Sequence, residues 1–255
     1  MHWVLEHNLN DKGYLELIDT LKRHSMPFTL VKVILHQNIL VSPSFDTFSK
    51  EPTKADNIFI DENQPIFPFG TMGLSSVAVS RKWNPGSLFN DQFTFEKWSD
   101  GFGLENLLNS QSQIIKFSDD IIFNDNVFFV RPCEDNKAFA GQVVTKEIFK
   151  EWQSKIIEIN DPRGKLNKDT MITIAPYQKI KTEDRMFVFN GLVVTGSYYK
   201  IGDKVQYIEI KKDDPITEYT NKMVKNYQPA KAFVLDVALT ENGYKIIEIN
   251  NINSV

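Results

Sequence analysis

Three oxygen-bearing side chains interrupt apolar segments near the end of the chain. Asp236 lies within AFVLDVAL, whereas Glu248 and Asn250 occupy alternate positions of YKIIEIN and would share one face of a strand. Apolar strands normally exclude such groups because burying an unpaired polar side chain is costly. Carboxylate and amide oxygens are hard ligands that suit Mg²⁺ better than a transition metal. The pattern therefore predicts a magnesium site, although a half-exposed hairpin whose polar residues face water would explain it equally well.

Whether Asp236 and Glu248 can share an ion depends on the turn that joins the two strands. A two-residue turn at Asn242-Gly243 would put the two carboxylates on opposite faces of the sheet. A three-residue loop from Glu241 to Gly243, with its glycine left-handed, would put Asp236 directly opposite Glu248. The metal-site hypothesis therefore predicts the three-residue loop.

The elements that must position this hairpin lie in the second half of the chain. Asn190-Gly191 between two alternating runs indicates a hairpin, and Asp214-Pro215 is typical of the start of a helix, which would reach about Tyr227. Thr145 is placed to cap a helix whose apolar face carries Ile148, Phe149, Trp152 and Ile156. The predicted strands are Ile121 to Arg131, Met171 to Ala175, Arg185 to Asn190, Leu192 to Tyr198, Ala232 to Leu239 and Tyr244 to Asn250.

The first half of the chain predicts a separate α/β layer. Trp3 to Glu6 and Phe28 to Leu35 are strand patterns that flank a helical pattern at residues 10–24, and this order predicts a parallel unit. The apolar face of that helix carries Tyr14, Leu17, Ile18 and Leu21. Further elements are expected as strands at Ile58 to Ile60 and around Phe67 to Gly70, and as a helix from Gly70 to Val79. We place a domain junction near residue 112.

Composition excludes some classes of function. At 255 residues and 42% hydrophobic content, the chain can form one large domain or two modest ones. A net charge of −4 gives no general reason to bind nucleic acid or an anionic membrane. The single cysteine, Cys133, allows no intramolecular disulfide, and the chain shows neither a signal-peptide pattern nor a run of ~20 apolar residues. We therefore expect a cytoplasmic protein.

Four segments resemble the ATP-grasp superfamily. VLDVALTENGYKIIEINNINS is similar to its closing strands, where a carboxylate and a later Glu-x-Asn hold metals that bridge the ATP phosphates. FFVRPCEDNKAFAGQVV resembles its first strand and phosphate loop, and ITIAPYQKIKTEDRMFVFNGLVVTGSYYK resembles its hinge and the strands that follow. FPFGTMGLSSVAVSRKWNPGSLFN is similar to the lead-in domain of a clade described by an arginine and two lysines, which is frequent in bacteria and their viruses.

The resemblance implies an α/β (α+β) fold with two parts. A Rossmann-like pre-ATP-grasp domain would span residues 1–112, and a two-lobed ATP-grasp domain would span residues 113–255, with lobes of about 113–175 and 176–255. A protein of this clade is expected in the bacterial cytoplasm, or in the host cytoplasm if it is viral.

The resemblance also implies roles for residues that contact the nucleotide. Arg131 stands where many members place a lysine against the α and β phosphates, and arginine can do this with two hydrogen bonds. Lys137 and Gly141 lie in the adjoining loop, which would close over the triphosphate, although a solvated loop lysine is the simpler interpretation of Lys137. The backbone of the hinge at Ala175, Pro176 and Tyr177 would contact the adenine edge.

Further basic residues would contact the transferred group. Arg185 stands where the family keeps an arginine for the γ-phosphate or an acyl-phosphate, and the alternative is an arginine stacked over aromatic neighbours. Lys179 and Lys200 are both candidates for the remaining lysine role, and the sequence does not choose between them. The resemblance implies that Asp236, Glu248 and Asn250 hold Mg²⁺, with two ions expected.

The implied activity is that of an ATP- and Mg²⁺-dependent carboxylate-amine ligase acting through an acyl-phosphate. Its partners would be small-molecule or peptide carboxylates and amines. We expect no membrane partner, and the net charge gives no general reason to expect nucleic acid, although a local basic groove is still possible. Two alternatives remain open, namely a non-catalytic ATP-binding module and an ATP-grasp kinase that phosphorylates a small molecule. The aromatic stretch from Trp83 to Phe102 is expected to shape the acceptor pocket.

Overall fold

Three β-sheets form the framework of the part of the chain that the structure describes. The computed structural model describes residues 1–7, 12–48, 50–122, 125–133, 138–159, 161 and 164–253. Within those ranges no helix is both long and apolar enough to cross a membrane. The mixture of helices and sheets confirms the predicted α/β (α+β) class.

The first sheet contains four strands in the order β3-β2-β1-β4. β1 pairs in parallel with β2 and with β4, which confirms the parallel strand, helix, strand unit. Helix α1 packs Tyr14, Ile18 and Leu21 against this sheet, as its apolar spacing predicts. The elements are β1 (His2–Glu6), α1 (Lys12–Arg23), β2 (Phe28–Ile34), β3 (Ile39–Val41), β4 (Ile66–Phe69) and α2 (Met72–Ser80).

The predicted strand from Ile58 to Ile60 is wrong. This segment follows a short 3-10 turn and forms no strand of its own. It meets the sheet at one bridge, between Asn57 and Val41, where Ile58 N donates to the Leu40 carbonyl at 2.6 Å. Ile60 is buried and Ile58 is partly buried, both against the core under the first sheet. Their apolar character therefore serves core packing, which does not require a strand.

The second sheet is a small antiparallel sheet in the order β5-β8-β6-β7. Thr145 Oγ1 accepts a hydrogen bond from the Ile148 N–H at 3.2 Å, which confirms the predicted helix cap. The strand expected from Ile121 begins at Val127, directly after a bend at the polar residues Asp125 and Asn126. The elements are α3 (Phe95–Phe102), which precedes the sheet, β5 (Gln113–Lys116), β6 (Val127–Pro132), β7 (Gln142–Thr145), α4 (Lys146–Ile159) and β8 (Met171–Pro176).

The third sheet is the largest, with five antiparallel strands in the order β11-β10-β9-β12-β13. The turn at Asn190 and Gly191 has positive φ angles of 49° and 78°, as the predicted hairpin requires. Asp214 caps α5 by accepting a hydrogen bond from Ile216 N, and Pro215 occupies the first turn. The elements are β9 (Ile180–Phe189), β10 (Leu192–Ile201), β11 (Lys204–Glu209), α5 (Pro215–Asn226), β12 (Ala232–Thr240) and β13 (Gly243–Asn251).

One face of this large sheet forms a core with α3 and α5. Trp98 and Phe102 of α3 belong to the same buried cluster as Met186 and Leu235 of the sheet. Leu107 forms a parallel bridge with Ile246, so the chain just after α3 runs beside β13. The division of the chain near residue 112 stays a prediction. α3 and α5 cover this face, on which Asp184 is also buried, and they leave the opposite face of the strands uncovered.

Asn253 attaches the end of β13 to the first sheet. Its buried side chain donates from Nδ2 to the Pro68 carbonyl at 2.9 Å and accepts from Leu88 N at 2.7 Å. Its own carbonyl accepts from Gly70 N at 2.9 Å. Since buried polar groups are stable only when they are hydrogen-bonded, this residue fixes the first layer beside the strand that carries Glu248 and Asn250.

Candidate functional site

Asp236 lies directly opposite Glu248 in the closing hairpin, as the metal-site hypothesis requires. The three-residue loop predicted to produce this register is wrong, because Thr240 pairs with Gly243 across a two-residue connection. The extra residue instead lies within β13, where the pairing shifts between Val237 and Asp236. A β-bulge adds one residue to one strand, which changes the parity of the register as a longer loop would. Ile247 is the added residue, and its side chain lines the adjacent cleft.

Asp236, Glu248 and Asn250 meet on one face of the large sheet. Asn250 Nδ2 donates to Asp236 Oδ2 at 3.0 Å and to Glu248 Oε1 at 3.1 Å. Asp236 is only 1% exposed. The amide donor therefore bridges two carboxylates that would otherwise repel each other.

Arg185 of β9 lies opposite Asp236 on the same face. Its Nε donates to Asp236 Oδ1 at 2.9 Å, and its Nη2 donates to Oδ2 at 2.8 Å. This is a bidentate, charge-assisted pair, the strongest common geometry for arginine and carboxylate. The hydrogen bonds to Asp236 raise the pKa of Arg185, with burial opposing them, so the guanidinium stays charged. No described residue accepts a hydrogen bond from its Nη1.

The donor chemistry of this cluster fits a magnesium ion. Among the residues that the structure describes, no three His, Cys, Asp or Glu side chains are grouped to hold a metal, so the candidate set is two carboxylates and one amide. All three can offer oxygen, and a half-turn of the Asn250 amide would present its Oδ1 in place of Nδ2. Arg185 and Asn250 already engage Asp236, so an ion bound by both of its oxygens would compete with the arginine.

Two further polar residues extend the cluster onto β10. Lys200 Nζ donates to Glu183 Oε1 at 2.7 Å, and the Tyr199 hydroxyl donates to Glu183 Oε2 at 2.7 Å. Burial, followed by the hydrogen bond to Glu183, raises the pKa of Tyr199, which keeps the phenol protonated. The guanidinium carbon of Arg185 lies 5.6 Å from the centre of the Tyr199 ring, a cation–π distance. Arg185 thus combines the aromatic contact of the alternative interpretation with a bond to the proposed metal ligand.

A cleft of about 750 Å³ runs between the small sheet and this polar face. Six residues selected from the sequence line it, namely Arg131, Gly141, Pro176, Tyr177, Glu248 and Asn250. Asp236, Arg185 and Lys200 do not line the cleft. Asp236 and Lys200 hydrogen-bond to the lining residues Asn250 and Glu183, respectively, and Arg185 hydrogen-bonds to Asp236. Ala175 is buried in β8 opposite Phe129.

Two predicted lysines remain to be located, Lys179 and Lys137. Lys179 lies outside the cleft and lines a separate cavity of about 480 Å³ that also borders Pro176 and Tyr177. Lys137 lies outside the described residues. The structure therefore brings Lys200, rather than Lys179, to the edge of the polar cluster.

Apolar side chains of the cleft were not predicted from the sequence. They come from both sheets and from the segment after α3, and they are Leu108, Phe129, Phe139, Val143, Ile180 and Ile247. Strand periodicity could have identified Phe129, because it lies two residues before Arg131 and shares its face. Glu183 could have been found in the same way from Arg185.

Gly141 has a steric reason to lack a side chain. A Cβ at this position would lie 2.8 Å from the ring of Phe129 and 3.5 Å from the Cβ of Arg131. Such a contact with the ring is shorter than van der Waals distance, so another residue would force the loop away from β6. Glycine therefore lets this segment lie close over the cleft.

The family model for the ATP-grasp domain of the clade described by an arginine and two lysines, family 3, matches residues 82–255. No curated protein sequence matches the chain significantly. The fold is similar to that of the RimK domain ATP-grasp protein from Sphaerobacter thermophilus, with a TM-score of 0.58 and 11% identity over 100% of this chain and 92% of that one.

Two ligase structures are also similar. The D-alanine–D-alanine ligase from Bacillus anthracis complexed with ATP gives a TM-score of 0.57 and 14% identity, covering 98% of this chain and 84% of that one. The ATP-grasp ligase PsnB complexed with a minimal precursor gives a TM-score of 0.52 and 11% identity, covering 97% of this chain and 89% of that one. At these identities the likeness establishes the fold.

Proposed function

Because this chain belongs to family 3 of the arginine-and-two-lysines clade of ATP-grasp domains, we propose that it is an ATP- and Mg²⁺-dependent ligase that joins a carboxylate to an amine. The observation that carries this proposal is the convergence of Asp236, Glu248, Asn250 and Arg185 on one sheet face beside a cleft. The similarly folded ligases support amide chemistry, and PsnB, whose structure holds a precursor, supports a peptide among the candidate substrates.

In this proposal the cleft holds the nucleotide between the two sheets. The apolar wall around Phe129, Ile180 and Ile247 suits a nucleobase, because flat apolar surfaces favour a buried aromatic ring. Arg131 reaches the phosphates from the opposite sheet, and no described residue hydrogen-bonds to its guanidinium. Tyr177 and Pro176 form the hinge wall of the same cleft.

The metal would be held by Asp236, Glu248 and Asn250, where it would neutralise phosphate charge. In the proposed reaction a substrate carboxylate takes the γ-phosphoryl group, ADP leaves, and an amine then displaces phosphate to give an amide. Arg185 and Lys200 offset the charge that develops during transfer, because both cations lie beside the ligand cluster. Such a reaction needs positioned charge and no protein nucleophile.

Thermal unfolding with ATP and Mg²⁺, compared with ATP and EDTA, tests the nucleotide site. Stabilisation that requires the metal is the expected result, and no shift at millimolar ATP would overturn the assignment. Release of ADP only when both a carboxylate and an amine are present distinguishes a ligase from a binding module. A product mass that corresponds to a stable phosphoryl adduct would identify a kinase instead.

A further inference from the structure

Glu183 places a carboxylate in the wall of the proposed nucleotide cleft. Only 16% of its side chain is exposed, so its charge is poorly screened by solvent. An anion at this position would repel a triphosphate, and neither the metal cluster nor the apolar wall requires it. Its hydrogen bonds indicate what compensates for that repulsion.

Each oxygen of Glu183 accepts one hydrogen bond from β10. Lys200 binds Oε1 and Tyr199 binds Oε2, both at 2.7 Å. These two donors are consecutive residues, and consecutive residues of a regular strand point to opposite faces. The pairing of β10 shifts between Tyr198 and Lys200 against both neighbouring strands. This bulge allows both side chains to reach the same carboxylate.

The same arrangement reaches Arg185 through Tyr199. The tyrosine ring lies 5.6 Å from the guanidinium carbon, while its hydroxyl is fixed by Glu183. Asp236 holds Arg185 from the other side through Nε and Nη2. Lys200 and Arg185 are therefore both connected to Glu183, the lysine directly and the arginine through an aromatic ring.

We propose that Glu183 is a positioning residue that fixes Lys200 directly and Arg185 through Tyr199, so that both cations face the phosphate groups of the bound nucleotide. This inference rests on the proposed function, because it concerns how that site binds its nucleotide. The competing explanation is that Glu183 and Lys200 only stabilise the pairing of β9 with β10.

The sign of one measurement separates the two explanations. Removing the charge of a bystander carboxylate from a triphosphate site should strengthen binding, because a repulsive charge is lost. If Glu183 positions the cations, Glu183→Gln should instead weaken binding of the non-hydrolysable analogue AMPPNP with Mg²⁺ by about tenfold, measured by calorimetry. Glu209→Gln is the matched control, because Glu209 is exposed on the same sheet face opposite Ser197. The control should change affinity by less than about twofold.

A double-mutant cycle with Lys200→Ala tests whether Glu183 acts through the lysine. In the Lys200→Ala background, Glu183→Gln should lose most of its effect on affinity, since coupled residues are not additive. Tyr199→Phe keeps the ring under Arg185 and should weaken binding less than Tyr199→Leu, which removes it. The melting temperature of each variant without nucleotide shows whether the sheet itself has been destabilised.

Each result has a distinct consequence. Unchanged or tighter binding by Glu183→Gln, with wild-type protein that binds the analogue, would overturn this inference and leave the proposed function intact. Full additivity with Lys200→Ala would also overturn it. A wild-type protein that does not bind the analogue would overturn the proposed function, and the inference with it.

Discussion

Asp184 and Asp236 are both buried aspartates of the large sheet, but they lie on opposite faces and have different partners. Asp236, on the cleft face, accepts two hydrogen bonds from Arg185 and one from Asn250. Asp184, on the core face, is 0% exposed and accepts one hydrogen bond, from Thr182, while its Oδ1 has no hydrogen-bond partner among the described residues. The negative charge of Asp236 is therefore compensated by a cation on the cleft face, whereas Asp184 on the core face has only the hydrogen bond from Thr182 among the described residues.

The lack of a cationic partner changes the pKa of Asp184. Burial, with smaller contributions from Asp214 and Glu183, raises its pKa to about 7 against the hydrogen bond from Thr182. The nearby Tyr198 hydroxyl bonds to Asp214 instead, at 2.6 Å. A buried carboxylate that pairs with an arginine stays ionised and can bind a ligand. A buried carboxylate without a cation reduces the stability of the folded chain when it ionises. Variants on the cleft face should therefore affect ligand binding, and variants on the core face should affect stability.

Glu248→Ala should give the largest effect on the cleft face. Loss of a metal carboxylate should reduce ATP-dependent turnover by about a thousandfold or more, because the developing phosphate charge loses its counter-ion. Glu248 is not part of the core cluster that packs on α3 and α5, so unfolding should remain cooperative. Thermal unfolding should show that Mg²⁺ with ATP no longer stabilises this variant. Full activity would exclude Glu248 as a metal ligand.

Asp184→Asn tests the core face through the pH dependence of stability. The folded pKa lies above that of the unfolded chain, so the stability associated with the protonated carboxyl is present below about pH 4 and is lost as pH rises through 7. Asparagine keeps an acceptor for Thr182 but cannot ionise. The free energy of unfolding of the variant should exceed that of the wild type by up to roughly 4 kcal/mol at pH 8, and the gain should shrink towards pH 4.

Asp213→Asn is the matched control for this measurement. Asp213 is exposed near the start of α5, so removing its charge should change the unfolding free energy by less than about 0.5 kcal/mol. Chemical denaturation at pH 4, 6 and 8 gives the free energy of unfolding of each protein at three pH values. A constant difference between Asp184→Asn and wild type across that range would show that Asp184 does not titrate in the folded chain.

The sequence alone predicts much of the sheet that carries both aspartates. The Asn190-Gly191 turn and the Asp214-Pro215 helix start follow from local patterns, and both are confirmed. The pairing of Asp236 with Glu248 is expected only from the metal-site hypothesis, and a bulge produces it in place of the predicted loop. The position of the bulge could not be predicted, because Ile246 and Ile247 have the same side chain and either could be the added residue. Their difference, with Ile246 in the core and Ile247 in the cleft, appears only once β12 and β13 are paired.

Other parts of the site depend on contacts between distant segments. The bonds from Lys200 and Tyr199 to Glu183 require a bulge in β10 that no turn residue announces. The attachment of Asn253 to Pro68 joins opposite ends of the chain, and an asparagine near a terminus gives no indication of it. Local periodicity therefore predicts which residues face the cleft, whereas strand pairing determines which of them bond to each other.

Arg185→Gln tests whether the arginine alone makes Asp236 different from Asp184. Without the guanidinium, the Asp236 carboxylate stays buried and loses its charged partner, so the free energy of unfolding without metal should fall by about 2 kcal/mol. The pair lies between surface and interior, since 34% of the Arg185 side chain is exposed. Arg131→Gln is the matched control and should change stability little, because the Arg131 side chain is exposed.

Addition of Mg²⁺ without nucleotide gives the decisive comparison for Arg185→Gln. If the arginine and the metal compete for Asp236, Mg²⁺ should stabilise the variant more than the wild type, because the freed carboxylate oxygens become ligands. Removal of the Arg185 charge also favours Mg²⁺ binding, because the arginine repels the ion. Chemical denaturation at 0 and 10 mM Mg²⁺ measures both effects, with a metal-dependent gain of about 1 kcal/mol expected in the variant. Equal stabilisation of the two proteins would mean that the metal does not compete with Arg185 for both oxygens of Asp236, and the pairing of Asp236 with Arg185 would then be structural, as the bond of Asp184 with Thr182 is.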